Sequence, residues 1–195
     1  AKQHGHMEAV GYDLYCKMLN EAVKQARGTK VEESFETSID LDIDAFIPPS
    51  YIRDETQKLD VYKRIAGIEN EEEKEEMLEE LIDRFGDLPK PVENLLMIAE
   101  YKAKAHRAYF TEVAQKGDEI RFTLFERAKV DAAKIPEFVD LYQGKMKFIA
   151  DKKLPLFIYT LKLNSRQKES PVEVVEQVLY DCKMLTGKSG EKKNL

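Results

Sequence analysis

Residues 69–87 hold the feature that most restricts the fold, a strongly acidic segment whose apolar residues recur at helical spacing. At 100° per residue, one side of a helix would carry Glu73, Glu76, Glu80, Asp83 and Asp87, and the opposite side would carry Met77, Leu78, Leu81, Ile82 and Phe85. Asn70 is a suitable N-cap, with Glu73 reaching back to it, and Gly86 a suitable C-terminal stop. The segment therefore predicts an amphipathic helix with its apolar face inward and its acidic face outward.

The negative charge of the chain is concentrated in this segment. Residues 69–87 contain ten acidic and two basic residues, a net charge of -8, whereas the whole chain has a formal net charge of -6. Like charges three or four residues apart cost roughly 0.2 to 0.5 kcal/mol per pair. The helix dipole offsets this repulsion only in the first turn, which Glu80 and Asp83 lie beyond. We predict that these carboxylates dock on a basic surface, the alternative being a face that is merely solvated.

Periodicity predicts further elements in the first half of the chain. An amphipathic leader helix is expected from about Val10 to Arg27, and strict alternation from Glu36 to Asp44 indicates a half-exposed strand. A capping box at Asp54 opens a helix that stops at Gly67. The apolar contacts expected of that helix are Leu59, Tyr62 and Ile65.

The second half mixes helical and strand patterns. Helices are predicted from Pro91 towards His106, from Asp131 to Tyr142 and from Ser170 to Gly187, and strands at Tyr109–Gln115, Glu119–Phe125, Lys145–Ile149 and Leu156–Leu161. The last strand is apolar on both faces, so we place it inside the sheet. The fold class is α+β: a small mixed, largely antiparallel sheet packed with several helices and preceded by the leader helix.

We expect three regions along the chain. Residues 1–30 would be a leader segment, residues 31–187 a folded domain, and residues 188–195 a disordered Lys-rich tail. The chain starts at Ala1 without Met, which suggests a piece of a longer protein. It has neither a signal peptide nor an apolar run of membrane-spanning length, and its two cysteines, Cys16 and Cys182, imply no disulfide framework, so a cytoplasmic protein is expected.

An enzymatic alternative would use Asp40, Asp42 and Asp44 as Mg²⁺ ligands for phosphoryl transfer. Alternation along an exposed strand explains these residues more simply. The other motifs are weak. His4, His6 and His106 lack partner ligands in sequence, and Gly187-Lys188-Ser189 lacks the upstream glycine of a phosphate-binding loop.

A second alternative is nucleic-acid binding through basic residues in the last third of the chain. The candidates lie near Phe148 and Phe157 and are Lys145, Lys147, Lys152, Lys153, Lys162, Arg166 and Lys168. The sequence pI of 5.3 argues against a general nucleic-acid binder. Salt-sensitive DNA affinity of the chain would favour this alternative.

Two stretches of sequence carry a family resemblance. Glu80-Leu-Ile-Asp-Arg-Phe-Gly-Asp-Leu-Pro89, preceded by Leu59-Asp-Val-Tyr-Lys-Arg-Ile-Ala66, resembles the carboxy-terminal domain of bacterial transcription-repair coupling factors over about Val31 to Leu185. The segment from Gln3 to Tyr15 resembles the end of the translocation motif that this family shares with the RecG helicase. Gln3 would match the loop residue of that motif, whose arginines are missing here.

The resemblance implies a parent that is an ATP-dependent DNA translocase, which displaces stalled RNA polymerase and recruits UvrA. Its ATP, Mg²⁺ and DNA would be bound by motor modules outside this chain, so we expect a non-enzymatic, cofactor-free monomer. The family's terminal domain packs on a UvrB-like amino-terminal module and masks its UvrA-binding surface. The acidic pair matching Glu80 and Asp83 meets arginines there.

Overall fold

The computed structural model describes residues 34–150, 153–164 and 166–187. The leader helix, Gln3, His4, His6, Cys16 and the tail after residue 187 lie outside these ranges. The chain divides into two compact units. Within the described residues, the helical unit comprises residues 34–36 and 42–103, and the sheet unit comprises residues 37–41 and 104–187.

Three helices build the helical unit: α1 (Glu55–Ala66), α2 (Glu71–Phe85) and α3 (Lys90–Arg107), of which the last turn belongs to the sheet unit. All three were predicted. Their apolar faces form a core whose fully buried side chains include Ile47, Ile52, Ile65, Leu81, Leu95 and Leu96. This core fixes which side of α2 faces water.

Helix α1 begins as predicted, because the Asp54 side chain accepts a hydrogen bond from the backbone N–H of Gln57 at 2.8 Å. Its buried stripe is Lys58, Val61, Tyr62 and Ile65. The prediction that Leu59 packs inward was wrong, since its side chain is 53% exposed. The 3.6-residue period places position 58 inside instead, with the lysine stem covering apolar surface.

Five strands form one sheet in the order β1-β2-β3-β5-β4. Their bounds are β1 Ser38–Asp40, β2 Phe110–Lys116, β3 Glu119–Leu124, β4 Met146–Ile149 and β5 Leu156–Thr160. β1 pairs with β2 in parallel and all other pairs are antiparallel, so the sheet is mixed and largely antiparallel as expected. The strand β5, apolar on both faces, lies between β3 and β4, which confirms its interior position.

The strand predicted from Glu36 to Asp44 is shorter than expected. Thr37, Ile39 and Leu41 are buried and alternate with exposed residues, as predicted, but the strand itself covers only Ser38–Asp40. It lies at the edge of the sheet and pairs with β2 alone, so the ladder ends once the chain departs from β2. Side-chain alternation thus persists beyond the backbone pairing.

Two α-helices complete the sheet unit, α4 (Ile135–Asp140) and α5 (Pro171–Asp181). The helix predicted from Asp131 begins as a 3-10 turn, Ala132–Lys134, and becomes α-helical where Pro136 takes a first-turn position. Phe138 of α4 packs edge-on against Phe157 of β5 with ring centroids 5.0 Å apart. This contact joins a helix to the sheet within one apolar core.

None of the helices in the described ranges combines the length and hydropathy that crossing a bilayer requires.

Candidate partner-binding surface

Helix α2 is capped at both ends by residues that are close to it in sequence. Asn70 accepts a hydrogen bond from the backbone N–H of Glu73 at 2.8 Å. The Glu73 carboxylate accepts from the N–H of Glu69 at 2.8 Å, one residue before the position expected for a capping box. At the other end, Gly86 has φ 89° and ψ −167°, a positive-φ conformation that glycine tolerates. The predicted start and stop of the acidic helix are therefore confirmed.

The inward face of α2 is narrower than predicted. Met77 and Leu81 are buried, and Leu78 and Phe85 pack partly buried against the same core. Ile82 was expected on this side, but it is 40% exposed. The reason is helical geometry: Ile82 lies 100° from Leu81, which already occupies the centre of the buried stripe. An exposed isoleucine is therefore part of the outward surface, beside Asp83.

Glu80 is engaged within the helical unit. Its carboxylate accepts hydrogen bonds from both terminal nitrogens of Arg64 in α1, with Arg64 Nη2 2.8 Å from Oε1 and Nη1 on Oε2. Arg84, one turn along α2, places Nη1 3.6 Å from Oε2. The hydrogen bond from Arg64 holds the pKa of Glu80 below its ordinary value. The sequence indicated the acidic face but not this pairing, because nothing in it reports which side chains of two helices meet.

The other predicted carboxylates of α2 differ in exposure. Glu76, Asp83 and Asp87 are exposed, and Glu73 is partly buried and caps the helix. Among the described residues, Glu76 and Asp83 form no ion pair. The outward side of α2 that remains open to a partner therefore carries Glu72, Glu76, Glu79, Ile82 and Asp83, all of them exposed. We call this set the acidic surface.

The alternative metal-binding residues are not gathered on one strand. Asp40 ends β1, whereas Asp42 and Asp44 lie in the chain that follows it, and all three are exposed. Within the part of the chain that the structure describes, no group of three His, Cys, Asp or Glu residues is arranged to hold a metal ion. His106, in the last turn of α3, is hydrogen-bonded at Nδ1 to the Thr37 hydroxyl at 3.1 Å.

Among the described residues, the two aromatic side chains near the basic residues of the last third pack within the sheet unit. Phe157 is fully buried, and the ring of Phe148 packs on it with centroids 4.8 Å apart. Lys145 binds Glu169 at 3.4 Å. Lys152 and Lys188 lie outside the described ranges. Phe157 is therefore a core residue that cannot stack on a base, and the partly buried Phe148 ring is packed against it.

Cys182 is buried at the end of α5. Its thiol donates to the carbonyl of Leu179 at 3.1 Å, and burial raises its pKa to about 12. A thiol in this environment is poorly reactive.

The sequence of the chain is similar to a known domain family and to named proteins. Residues 41–135 match the TRCF domain family. The chain is 42% identical over 164 residues to the transcription-repair-coupling factor of Bacillus subtilis, a match covering 82% of this chain and 14% of that protein. The factor of Staphylococcus haemolyticus is 42% identical over 129 residues, covering 65% of this chain and 11% of that protein. The chain thus spans about a seventh or less of these relatives.

A solved structure shares the fold. The crystal structure of a C-terminal domain of transcription-repair coupling factor superposes with a TM-score of 0.67 at 27% sequence identity. The match covers 84% of this chain and 100% of the crystallised one.

Proposed function

The chain belongs to the family of C-terminal TRCF domains of transcription-repair coupling factors, and on this premise we propose that it is a non-catalytic interaction domain whose acidic surface docks on a basic surface of its parent protein. The docking site would be the UvrB-like amino-terminal module of the parent. By covering that module, the domain acts as an autoinhibitory clasp over the surface that binds UvrA.

The observation that supports docking is the state of Asp83. It is exposed on the outward side of α2, beyond the first turn where the helix dipole favours carboxylates, and it forms no ion pair among the described residues. Glu76 and Glu79 extend the negative surface along the helix. A basic partner would relieve the repulsion between these like charges, which is the free energy that favours docking.

The expected strength of the clasp follows from its exposure. Ion pairs at a solvated rim contribute about 0.2 to 1 kcal/mol each and are screened by salt. A clasp built from a few such pairs is weak and opens readily. Reversibility suits a domain that must release the UvrA-binding surface.

The parent supplies the activities that this chain does not carry. We propose that it is a cytoplasmic ATP-dependent DNA translocase, with ATP and Mg²⁺ in motor modules, that displaces stalled RNA polymerase and recruits UvrA. The remnant of the translocation motif at Gln3 would be the end of that motor. This chain would act on DNA and RNA polymerase only through the parent, and by itself as a monomer.

Docking is tested by mixing this chain with the separated UvrB-like module and measuring Kd by fluorescence anisotropy. We expect Asp83→Lys to weaken binding about five-fold or more, because it replaces attraction by repulsion. Glu176→Lys on α5 is the matched control, since it reverses an exposed carboxylate on another helix. Binding of the unmodified chain should weaken as salt rises from 50 to 300 mM.

Equal Kd values for Asp83→Lys and the unmodified chain would remove the docking assignment. Thermal unfolding of Asp83→Lys and Glu176→Lys shows whether weaker binding is caused by loss of folded protein. Because Asp83 is exposed, its replacement should shift Tm by no more than Glu176→Lys does.

A further inference from the structure

The ion pair between Arg64 and Glu80 sets two helices of the same unit against each other. Arg64 lies in the last turn of α1 and Glu80 in the middle of α2. Both terminal nitrogens of the guanidinium engage the two carboxylate oxygens, which is the fork arrangement that makes Arg–carboxylate pairs specific. Arg84 adds a second cation at 3.6 Å. Glu80 is therefore the one carboxylate of the predicted docking pair that already has cationic partners.

We propose that Arg64 is an internal competitor for Glu80, so that docking exchanges the Arg64–Glu80 pair for a pair between Glu80 and an arginine of the partner. The inference rests on the proposed function and adds to it the residue of this chain that sets the affinity. It makes Arg64, which no docking argument from charge alone singles out, a residue that regulates docking at Glu80, beside the acidic surface.

The geometry favours the exchange. Arg64 bonds both oxygens of Glu80 as a fork, so an incoming guanidinium can form the same fork only after Arg64 has left. The lone pairs that Arg64 leaves open accept further cations singly, as Arg84 does at 3.6 Å. The exchange is also accessible. The side chains of Arg64 and Glu80 are 42% and 35% exposed, so a partner reaches both without unfolding the unit. A pair this exposed is weak enough to be displaced.

Asp83 stands in contrast to Glu80. It lies three residues further along α2, exposed, and outside every ion pair among the described residues. Side chains three residues apart on a helix are about 5 to 6 Å apart at Cβ. One partner cation can therefore bind Asp83 directly while a second displaces Arg64 from Glu80. The first contact needs no exchange and the second does.

The test compares three single variants of this chain for binding to the UvrB-like module. Arg64→Gln frees Glu80, so we expect Kd to fall about two- to five-fold. Lys63→Gln removes one exposed positive charge from the neighbouring position of α1, where no ion pair with Glu80 exists. We expect it to change Kd by less than about 1.5-fold, so the difference between the variants reports the competition and not the net charge.

A double-mutant cycle tests whether Arg64→Gln changes the affinity through Glu80. In the Glu80→Gln background, Arg64→Gln should no longer tighten binding, because the carboxylate for which the arginines compete is absent. The proposal would be overturned if Arg64→Gln failed to tighten binding of the otherwise unmodified chain. It would also be overturned if Arg64→Gln tightened binding equally in the Glu80→Gln background. Arg64→Lys, which keeps the charge and loses the fork, should give a smaller tightening and serves if Arg64→Gln lowers Tm substantially.

The outcomes separate this inference from the proposed function. If Asp83→Lys weakens binding and Arg64→Gln does not tighten it, docking stands and competition fails. If Asp83→Lys has no effect, the docking assignment itself fails.

Discussion

Lys74 of the acidic helix donates a hydrogen bond from Nζ to Glu100 of α3 at 3.0 Å. The Glu100 side chain is only 4% exposed, so this lysine brings a positive charge to a carboxylate inside the helical unit. Burial is the largest influence and opposes the charging of Lys74, but the hydrogen bond to Glu100 and the negative charges of Glu100, Glu75 and Glu71 together outweigh it and leave the pKa of Lys74 above its ordinary value. One of the two basic residues in the acidic segment thus has a structural role.

Lys74→Met should lower the free energy of unfolding by about 2 kcal/mol, less than the roughly 3 to 5 kcal/mol of a fully buried pair, because Lys74 still reaches water. A raised pKa contributes stability that is complete below the ordinary lysine pKa and is lost above it. The advantage of the unmodified chain in urea unfolding should therefore be constant across neutral pH and narrow above about pH 10.4. An advantage that disappeared at pH 7 would contradict this role.

Gly86 should resist replacement. At φ 89° and ψ −167° the backbone is in a region that residues with a Cβ rarely adopt, although no atom lies within 4 Å of where the Cβ would be. Gly86→Ala should lower the free energy of unfolding by about 1 to 3 kcal/mol through backbone strain alone. Gly67→Ala is the control, since Gly67 has an ordinary φ of −85° and its Cβ would meet Arg64 O at 3.5 Å, a normal contact. If both variants melted alike, strain at Gly86 would be refuted.

Much of this architecture could be predicted from patterns along the chain, because caps, glycine stops and apolar spacing are local. The Asp54 and Asn70 caps are confirmed, and so is the interior position of β5. The predictions failed at Leu59 and Ile82, which were expected to be buried but lie just outside the buried face of their helices. Which residues at the border of that face are covered depends on where the neighbouring helix lies, and local spacing does not report this.

The candidate surface was predictable in sign but not in detail. The net charge of the segment identified the acidic face from sequence. That Arg64 holds Glu80, while Asp83 stays open, depends on how two helices meet. No pattern within either helix encodes that contact. The docking role of both carboxylates stays a prediction.

Tyr62 provides a third test of the helical core. Its hydroxyl accepts a hydrogen bond from the backbone N–H of Ile47 at 2.9 Å, and Ile47 is fully buried. Tyr62→Phe should lower the free energy of unfolding by about 1 to 3 kcal/mol, because a buried N–H loses its acceptor. Tyr180→Phe, at a position 66% exposed, should change it by less than about 0.5 kcal/mol. Equal midpoints in urea would count against the bond.

Glu169 should give the sheet unit an acid-sensitive component of stability. Burial alone would raise its pKa, but hydrogen bonds from the Tyr159 hydroxyl, the Lys162 backbone N–H and Lys145 outweigh this and hold the pKa below its ordinary value. A depressed pKa contributes stability that is present above the ordinary value and is lost as pH falls through the folded-state value.

Glu169→Gln should therefore lower the free energy of unfolding by about 1 kcal/mol at pH 7, with the difference from the unmodified chain closing below about pH 4.3. Glu176→Gln, at an exposed position on α5, is the control and should show no such closing. Parallel pH profiles for the unmodified chain and Glu169→Gln would show that the carboxylate contributes nothing.

The parallel pairing of β1 with β2 has a consequence for the order in which the sheet is completed. Ser38 pairs with Glu112, so the first strand must wait for a partner that lies 74 residues further along the chain. At a synthesis rate of roughly 5 to 20 residues per second, that delay on the ribosome is about 4 to 15 s. Throughout it, Ile39 has no strand to pair with, although all residues of α1 and α2 are synthesised before the delay ends. Among the strands of the sheet, β1 thus waits longest between its own synthesis and that of its pairing partner. A nascent chain paused within α3 would leave β1 unpaired and open to other partners.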